Sequence, residues 1–412
     1  MKLSYIIVTR NRRESLLRTL ALLEQNTRLP RHDWEVFVVD NASDDGTAEA
    51  LSRNYRQASV IRLAENEGMP ARNRALHPAT GRYIVFLDDD SYPLADAIPR
   101  SLAYMSGHPK TAALVARVIL PSGQAEGPAM PGVTLGGASI IRRSVIDQVG
   151  GFAPEFFRQA EEYDFSFRVW QAGYRIERFE DIRFGHDKNA SGRCSALTAR
   201  MDLRNNLIVV ERYLPRPMRR EYRHDWMRRY AALGLHEGHG DAINSAVRES
   251  RVWARRERKV GRKILSQSAL ESLFQWDAQA KAVADWSRAN SIKRVAIADV
   301  SKNIYATWRA CRLAGLDIAW ILENGPAFTG FNYRGASVMS DAKMSKADFD
   351  GIALSTVNPA RVDSRMEELS SWFTLPTLRL WEPRLMGENT IRPRRPPAPF
   401  DPAFGPRKPE AA

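Results

Sequence analysis

The chain has little cysteine: Cys194 and Cys311 are its only two in 412 residues, far apart and without metal-ligand spacing. That excludes a disulfide framework and a cysteine-based zinc site. Long hydrophobic runs are missing too; none approaches the ~20 residues that cross a bilayer. Met1-Lys2 leads straight into a strand-like segment, Leu3 to Thr9, so no signal peptide is expected and the cytoplasm is the expected compartment. Negative charge is in deficit, with 48 acidic residues against 61 lysines and arginines and a net charge of +13. A surface of that sign favours anionic partners: nucleic acid, acidic lipid or a phosphorylated substrate. The 44% hydrophobic content is ordinary for a globular protein, and the length suggests two or three domains.

What is present is a strand–helix alternation over residues 1–215. Leu3–Thr9, Trp34–Val39, Val60–Leu63 and Tyr83–Leu87 read as short apolar strands. Arg12–Asn26, Gly46–Tyr55 and Pro70–Leu76 read as helices between them. This order predicts an α/β layered domain with a largely parallel sheet. Ligands of such sheets collect at the carboxyl ends of the strands. The polar clusters Thr9-Arg10-Asn11, Asp40-Asn41, Asn66-Glu67-Gly68 and Asp88-Asp89-Asp90 all fall there.

Residues 216–290 lose the strand signal. Met218, Tyr222, Trp226, Tyr230 and Leu233 recur at helical spacing among crowded arginines and lysines. The expectation is a basic helical segment. It either packs on the first domain with a solvated face or lies on anionic lipid headgroups at the inner face of the cytoplasmic membrane. Residues 291–382 return to an α/β pattern, with strands at Arg294–Asp299, Asp317–Glu323 and Gly351–Thr356 and a helix at Tyr305–Ala314. A small Rossmann-like domain is expected there. Its first turn, Asp299 to Asn303, lacks the glycines of a dinucleotide loop, so no NAD is expected. The Pro- and Arg-rich tail, 383–412, is expected to be disordered or extended.

The acidic triplet carries the chemistry. A strand period of two puts Asp88 and Asp90 on one face, where they repel unless a cation lies between them. Hard oxygen ligands suit Mg²⁺ or Mn²⁺, ions that bridge carboxylate and phosphate. The expectation is a metal-dependent enzyme acting on a nucleotide diphosphate; the plain alternative is a solvated acidic loop.

Six blocks then follow in order: Ser4-Tyr5-Ile6-Ile7-Val8-Thr9-Arg10-Asn11-Arg12, Val38-Val39-Asp40-Asn41-Ala42-Ser43-Asp44-Asp45-Gly46-Thr47, Asn66-Glu67-Gly68 with Ala71-Arg72-Asn73, Asp88-Asp89-Asp90, Ile141 to Phe152, and Glu161-Glu162-Tyr163-Asp164. Together they resemble the family 2 glycosyltransferases with the GT-A fold, over about residues 1–200. The resemblance implies transfer of a sugar from a nucleotide-diphosphate donor to a hydroxyl, with inversion, on a glycan or lipid-linked acceptor of cell-surface polysaccharide synthesis. It implies Asp90 as a direct ligand of Mn²⁺ or Mg²⁺, Asp88 on the ribose or a metal-bound water, and His186 as a third ligand. Asp40 would accept hydrogen bonds from uracil or ribose. Thr9, Arg10, Asn11, Asn66, Gly68, Arg72 and Asp89 would line the donor site, with Arg72 reaching the diphosphate. Gly136 and Gly137 would let backbone approach the donor or acceptor sugar.

Glu162 is the favoured general base for the acceptor hydroxyl, with Glu161 and Asp164 as competitors. On a helix Glu161 and Asp164 share a face while Glu162 points elsewhere. Asp164 has a structural alternative, as a cap or as the i+4 partner of Arg168. The family's second acidic position is often Asp rather than Glu.

Two rival readings are weaker. A nucleotidyltransferase would place a glycine-rich loop after the first strand, but Thr9 to Glu14 holds no glycine. An RNA-binding or scaffold protein would interleave aromatic and basic residues on an exposed sheet, whereas the aromatics here keep core-like helical spacing. Nucleic acid is not an expected partner.

Overall fold

A computed structural model describes residues 2–188, 195–345 and 348–386. Cys194 and residues 387–412 of the tail lie outside the described residues.

The first sheet starts from four parallel strands, β1 (Leu3–Thr9), β2 (Trp34–Asp40), β3 (Ala58–Arg62) and β4 (Tyr83–Asp88). β1 and β4 are apolar on both faces because both faces are covered. Tyr5, Ile7, Val85 and Leu87 join one core, and Ile6, Ile84 and Phe86 join the other. α1 (Arg13–Asn26) lays Leu16, Leu20 and Leu23 on the first core, and α2 (Thr47–Asn54) adds Leu51. The segment expected as a helix at Pro70–Leu76 is a 3₁₀ stretch, Met69–Ala75. Its tighter winding buries Arg72 between Ala71 and Ala75, and it starts from a backbone tether, Met69 N donating to the Phe157 carbonyl at 2.6 Å.

Beyond β4 the sheet becomes mixed. It continues through β5 (Ser91–Pro93), α3 (Ala97–Gly107), β6 (Thr111–Ile119), β7 (Ala125–Glu126), β8 (Ser139–Arg142), α4 (Arg143–Val149), α5 (Glu161–Gln171) and β9 (Arg175–His186). The spatial order is β3-β2-β1-β4-β8-β6-β9-β5, with β7 paired to β6. β8 runs antiparallel to β4 and to β6. A parallel half joined to a mixed half is the GT-A class of α/β fold expected from the sequence. The registers align the chemistry: Thr9 lies opposite Asp40, Val8 opposite Asp88, and Ser91 opposite His186.

Five helices follow, α6 (Ala196–Tyr213), α7 (Arg216–His236), α8 (Gly240–Val260), α9 (Gln267–Phe274) and α10 (Trp276–Ala289). The aromatic stripe is core. Tyr163 and Phe167 of α5 pack with Tyr213, Met218, Tyr222, Trp226 and Phe274. Part of the basic crowd is neutralised inside the protein: Arg219, Arg223 and Arg262 stand 3.8, 3.0 and 3.4 Å from Glu211.

The C-terminal sheet contains β10 (Arg294–Ala298), β11 (Asp317–Leu322), β12 (Asn332–Tyr333), β13 (Ala336–Met339), β14 (Gly351–Leu354) and β15 (Thr377–Leu378), with α11 (Ile304–Leu313) and α12 (Val362–Trp372). It is parallel except for the β12–β13 pair, and apolar clusters cover both faces. It docks on α7, where Tyr333 donates to Asp225 Oδ2 at 2.5 Å and Arg334 Nη2 lies 2.9 Å from Asp225 Oδ1.

Candidate active site

Asp88, Asp90 and His186 present ligand atoms within 4.8 Å of one another. His186 Nε2 lies 3.0 Å from Asp90 Oδ1, a contact that pairs the imidazole with a buried carboxylate. Asp90 Oδ2 is held by Arg12 Nη2 at 2.6 Å. β4 ends at Asp88, and in the turn that follows Asp89 points away from His186 toward Thr9 and Arg12. It accepts from Thr9 Oγ1 at 2.8 Å and meets Arg12 Nη1 at 2.9 Å. Asp89 and Thr9, expected along the donor site, therefore brace the triplet. Burial pushes the Asp89 carboxyl up to about 7 against the pull of Arg12 and Thr9.

His186 Nδ1 lies 2.9 Å from Glu126 Oε2, the carboxylate partner that orients a ligating imidazole. Burial favours the neutral ring, but the Asp90 and Glu126 carboxylates prevail and raise its pKa to about 10. A divalent ion binding here must displace that proton. The residues fit such an ion. Asp90 offers a buried carboxylate oxygen 3.0 Å from an imidazole nitrogen, and Gly137 keeps the space clear: a Cβ there would stand 2.6 Å from Asp88 Oδ2.

At the end of β2, Asp40 is fully buried. Its Oδ1 accepts from Ser43 N at 2.9 Å; its Oδ2 has no hydrogen bond and lies 3.9 Å from Arg62 Nε. A buried carboxylate oxygen without a donor is a place for a ligand N–H or O–H. Asn11 zips the neighbouring loops together, its N–H donating to Ser43 Oγ at 3.0 Å and its Oδ1 accepting from Asp44 N at 2.9 Å. Asn66 Oδ1 accepts from Asn41 Nδ2 and from Gly68 N. Gly68, at φ +71°, can only be glycine, because a Cβ would meet the Phe157 carbonyl oxygen at 2.1 Å. Arg10 stays exposed at the rim.

Arg72 joins the two halves of the site. It is fully buried, with Nη2 2.6 Å from Asp88 Oδ1, while Nε and Nη1 make no hydrogen bond. A Cβ on Gly136 would come 3.0 Å from Nη1. On its other side the guanidinium charge acts on Glu161.

α5 starts from a strained turn, with Phe157, Gln159 and Ala160 at φ 53°, 67° and 64°. Asn205 Nδ2 of α6 clamps that turn through the carbonyls of Phe156, Arg158 and Gln159 at 2.7, 2.7 and 2.8 Å. The turn delivers Glu161 and Glu162, each with one buried carboxylate oxygen lacking a hydrogen bond. Burial drives the Glu161 pKa well above the usual carboxyl range; the neighbouring Glu162 adds to this and Arg72 opposes it. Burial thus favours the uncharged form of Glu161. Asp164 has its oxygens engaged by Arg168 Nη2 (2.9 Å), Arg212 Nη1 (2.8 Å) and Tyr213 Oη (2.6 Å). Burial works against its charge, but Arg168 and Arg212 hold its carboxyl below the usual range. Beneath the helix, Trp170 Nε1 donates to the Gly132 carbonyl at 2.7 Å. Of the three carboxylates, Glu162 is the one that is only half-buried.

Sequence reasoning missed Arg12 and Glu126. Arg12 follows the end of β1 by three residues, a position that could have marked it. Glu126 meets the site only through tertiary packing.

Residues 4–200 match the family model described as Glycosyl transferase family 2. TuaG of Bacillus subtilis, named for teichuronic acid biosynthesis, is 40% identical over 76 residues, 18% of this chain and 30% of that protein. The poly(ribitol-phosphate) beta-N-acetylglucosaminyltransferase TarS of Staphylococcus aureus is 27% identical over 210 residues, 47% of this chain and 36% of that one. The chain thus spans about a third of the length of these curated relatives. Among solved structures, TarS 1-349 with UDP-GlcNAc aligns at TM-score 0.48 and 18% identity, covering 77% of this chain and 93% of that one. The mannosyltransferase PcManGT of Pyrobaculum calidifontis, with GDP-Man and Mn2+, aligns at TM-score 0.42 and 16% identity, covering 76% and 85%.

Proposed function

Residues 4–200 belong to glycosyl transferase family 2, and from that premise we propose that the chain is a metal-dependent, inverting glycosyltransferase. It moves a sugar from a nucleoside diphosphate to a hydroxyl of a glycan or lipid-linked acceptor in cell-surface polymer synthesis. The relatives named for teichuronic acid and poly(ribitol-phosphate) support that setting. One observation carries the reading: Asp88, Asp90 and His186 present ligand atoms within 4.8 Å of one another, with the buried Arg72 guanidinium 2.6 Å from Asp88.

A divalent ion, when bound by Asp88, Asp90 and His186, offsets charge on the leaving diphosphate as a Lewis acid. Arg72 adds a second positive charge beside the same carboxylates. Asp40 Oδ2 supplies the acceptor that a uracil N–H or ribose hydroxyl needs. Glu162 takes the proton of the acceptor hydroxyl as its oxygen attacks the anomeric carbon. The bond to the diphosphate breaks on the opposite side, which inverts the centre.

A thermal-shift screen of UDP-, GDP- and dTDP-sugars tests this. One donor is expected to raise the unfolding midpoint with Mn²⁺ and not with EDTA, since a ligand of the folded state stabilises it. No shift with any of them in the presence of Mn²⁺ would falsify the donor-site reading.

Among the described residues no helix is long and apolar enough to cross a membrane. A lipid-linked acceptor therefore calls for another route to a bilayer. α8 leaves Arg251, Arg255, Arg256, Arg258 and Lys259 exposed, flanked by Val252 and Val260 at 61% and 69% exposure. This face supports peripheral contact with anionic lipid. Salt-sensitive co-sedimentation with anionic vesicles is the expected result; no binding at low ionic strength removes the idea.

A further inference from the structure

Glu126 reaches the site from β7, a strand only two residues long. β7 is the return arm of a hairpin whose turn spans Leu120 to Gln124. In that pairing Val118 of β6 lies opposite Glu126 on one side and opposite Phe184 of β9 on the other. His186 stands two residues beyond Phe184, so the strand period puts Glu126 and His186 on one face of the sheet.

The contacts follow from that placement. Glu126 Oε2 lies 2.9 Å from His186 Nδ1, and Oε1 accepts from Lys188 Nζ at 2.7 Å. An ionised carboxylate only accepts, so the proton between Glu126 and the ring belongs to Nδ1. Nε2 is then the nitrogen turned to the acidic residues, 3.0 Å from Asp90 Oδ1. Lys188 holds the other Glu126 oxygen, while the ligand atoms that converge within 4.8 Å are those of Asp88, Asp90 and His186. Glu126 therefore acts on the site through the ring.

Just beyond Glu126 the C-terminal domain closes against the hairpin. The loop after β14 brings Ala360 and Asn358 to Gly127: a Cβ there would stand 3.4 Å from Ala360 Cβ and 3.5 Å from Asn358 Oδ1. That loop is itself tied down, with Asn358 Oδ1 accepting from Ala360 N at 3.0 Å and its carbonyl from Arg361 N at 2.9 Å. A hairpin arm as short as β7 is marginal alone and takes its position from what packs on it.

We propose that Glu126 is a positioning residue of the cation site and that the C-terminal domain keeps it in place. Packed at Gly127, that domain holds β7 so that Glu126 fixes the His186 ring with Nε2 toward Asp88 and Asp90. The inference rests on those three residues binding a divalent ion.

The test titrates Mn²⁺ into the full-length chain freed of metal, alone and with UDP, and follows free Mn²⁺ by its electron paramagnetic resonance signal. The parent is expected to bind; no uptake in either condition overturns the cation-site reading and this inference with it. Glu126→Ala is expected to weaken binding by about 10- to 100-fold, the scale of losing the partner of a ligating imidazole. Glu126→Gln keeps an oxygen that accepts from Nδ1 and is expected to return part of that loss. Parent-like affinity in folded Glu126→Ala overturns the inference. In His186→Ala there is no ring to fix, so adding Glu126→Ala is expected to change nothing further; a second loss of similar size means that Glu126 acts elsewhere and overturns the inference. Gly127→Leu leaves every ligand and Glu126 in place while its added atoms crowd Ala360, and binding weaker by about tenfold is expected. Unchanged affinity there overturns the part given to the C-terminal domain. Should Glu126→Ala fail to fold by circular dichroism, Lys188→Met is read in its place: releasing the second Glu126 oxygen is expected to weaken binding, and no change overturns the inference.

Discussion

Asp90→Ala is expected to lower kcat/KM by roughly 10³-fold or more, the scale of losing a metal that stabilises a leaving diphosphate. The Asp90 side chain has two faces with separate tasks. Oδ2 is tied to Arg12, and Oδ1 faces His186 Nε2 at 3.0 Å. Truncation removes that oxygen from the ligand set and leaves Arg12 without one of its partners. Arg12 is 40% exposed and still meets Asp89, so water and Asp89 absorb the stranded charge and the fold loses little. The effect is therefore expected in function rather than in stability. Turnover and the Mn²⁺-dependent rise in midpoint should disappear together while the metal-free midpoint stays near that of the parent. Wild-type turnover in this variant would end the metal reading.

The placement of Asp90 was readable because it depends on local rules. Leu3–Thr9 and Tyr83–Leu87 are continuous apolar runs that stop at polar residues, and the structure keeps both as neighbouring parallel strands. Pattern weakens where a strand is alanine-rich: β6 reads Thr-Ala-Ala-Leu-Val-Ala-Arg-Val-Ile and carries no alternation, yet it is almost wholly buried. The 3₁₀ stretch at Met69–Ala75 follows from a tether to Phe157, nearly ninety residues on, that no window of sequence contains.

The site divides the same way. Thr9, Asp40 and Asp88 follow from strand ends, and their common edge follows from register, while Asp90 lies in the turn after β4. Helical periodicity tells that Glu161 and Asp164 share a face, but not which face is core. That is decided by Arg212 and Tyr213, which arrive from α6. The turn at Asp299–Asn303 gave no sign that Lys302 would pack against α6, where it donates to Asn206 Oδ1.

Glu162→Gln is expected to cut kcat by about 10² to 10⁴-fold while donor affinity and stability hold. Glu162 Oε2 makes no hydrogen bond, and an amide keeps the shape of the side chain. Asp164→Asn should do the reverse. Asp164 is 1% exposed and Arg212 5%; weakening one member of a buried ion pair costs up to about 3–5 kcal/mol. Its pH dependence has a fixed sign. The folded-state pKa is lowered, so the stabilisation is present above the unfolded carboxyl value near ~4 and is lost as pH falls through the folded one. Urea unfolding should show that acid-side loss in the parent and not in Asp164→Asn. Glu161→Gln is expected to have a small effect, since burial favours the uncharged form of that side chain. Should Asp164→Asn or Glu161→Gln remove turnover at undiminished stability while Glu162→Gln retains it, the base is one of those two carboxyls and Glu162 is a bystander.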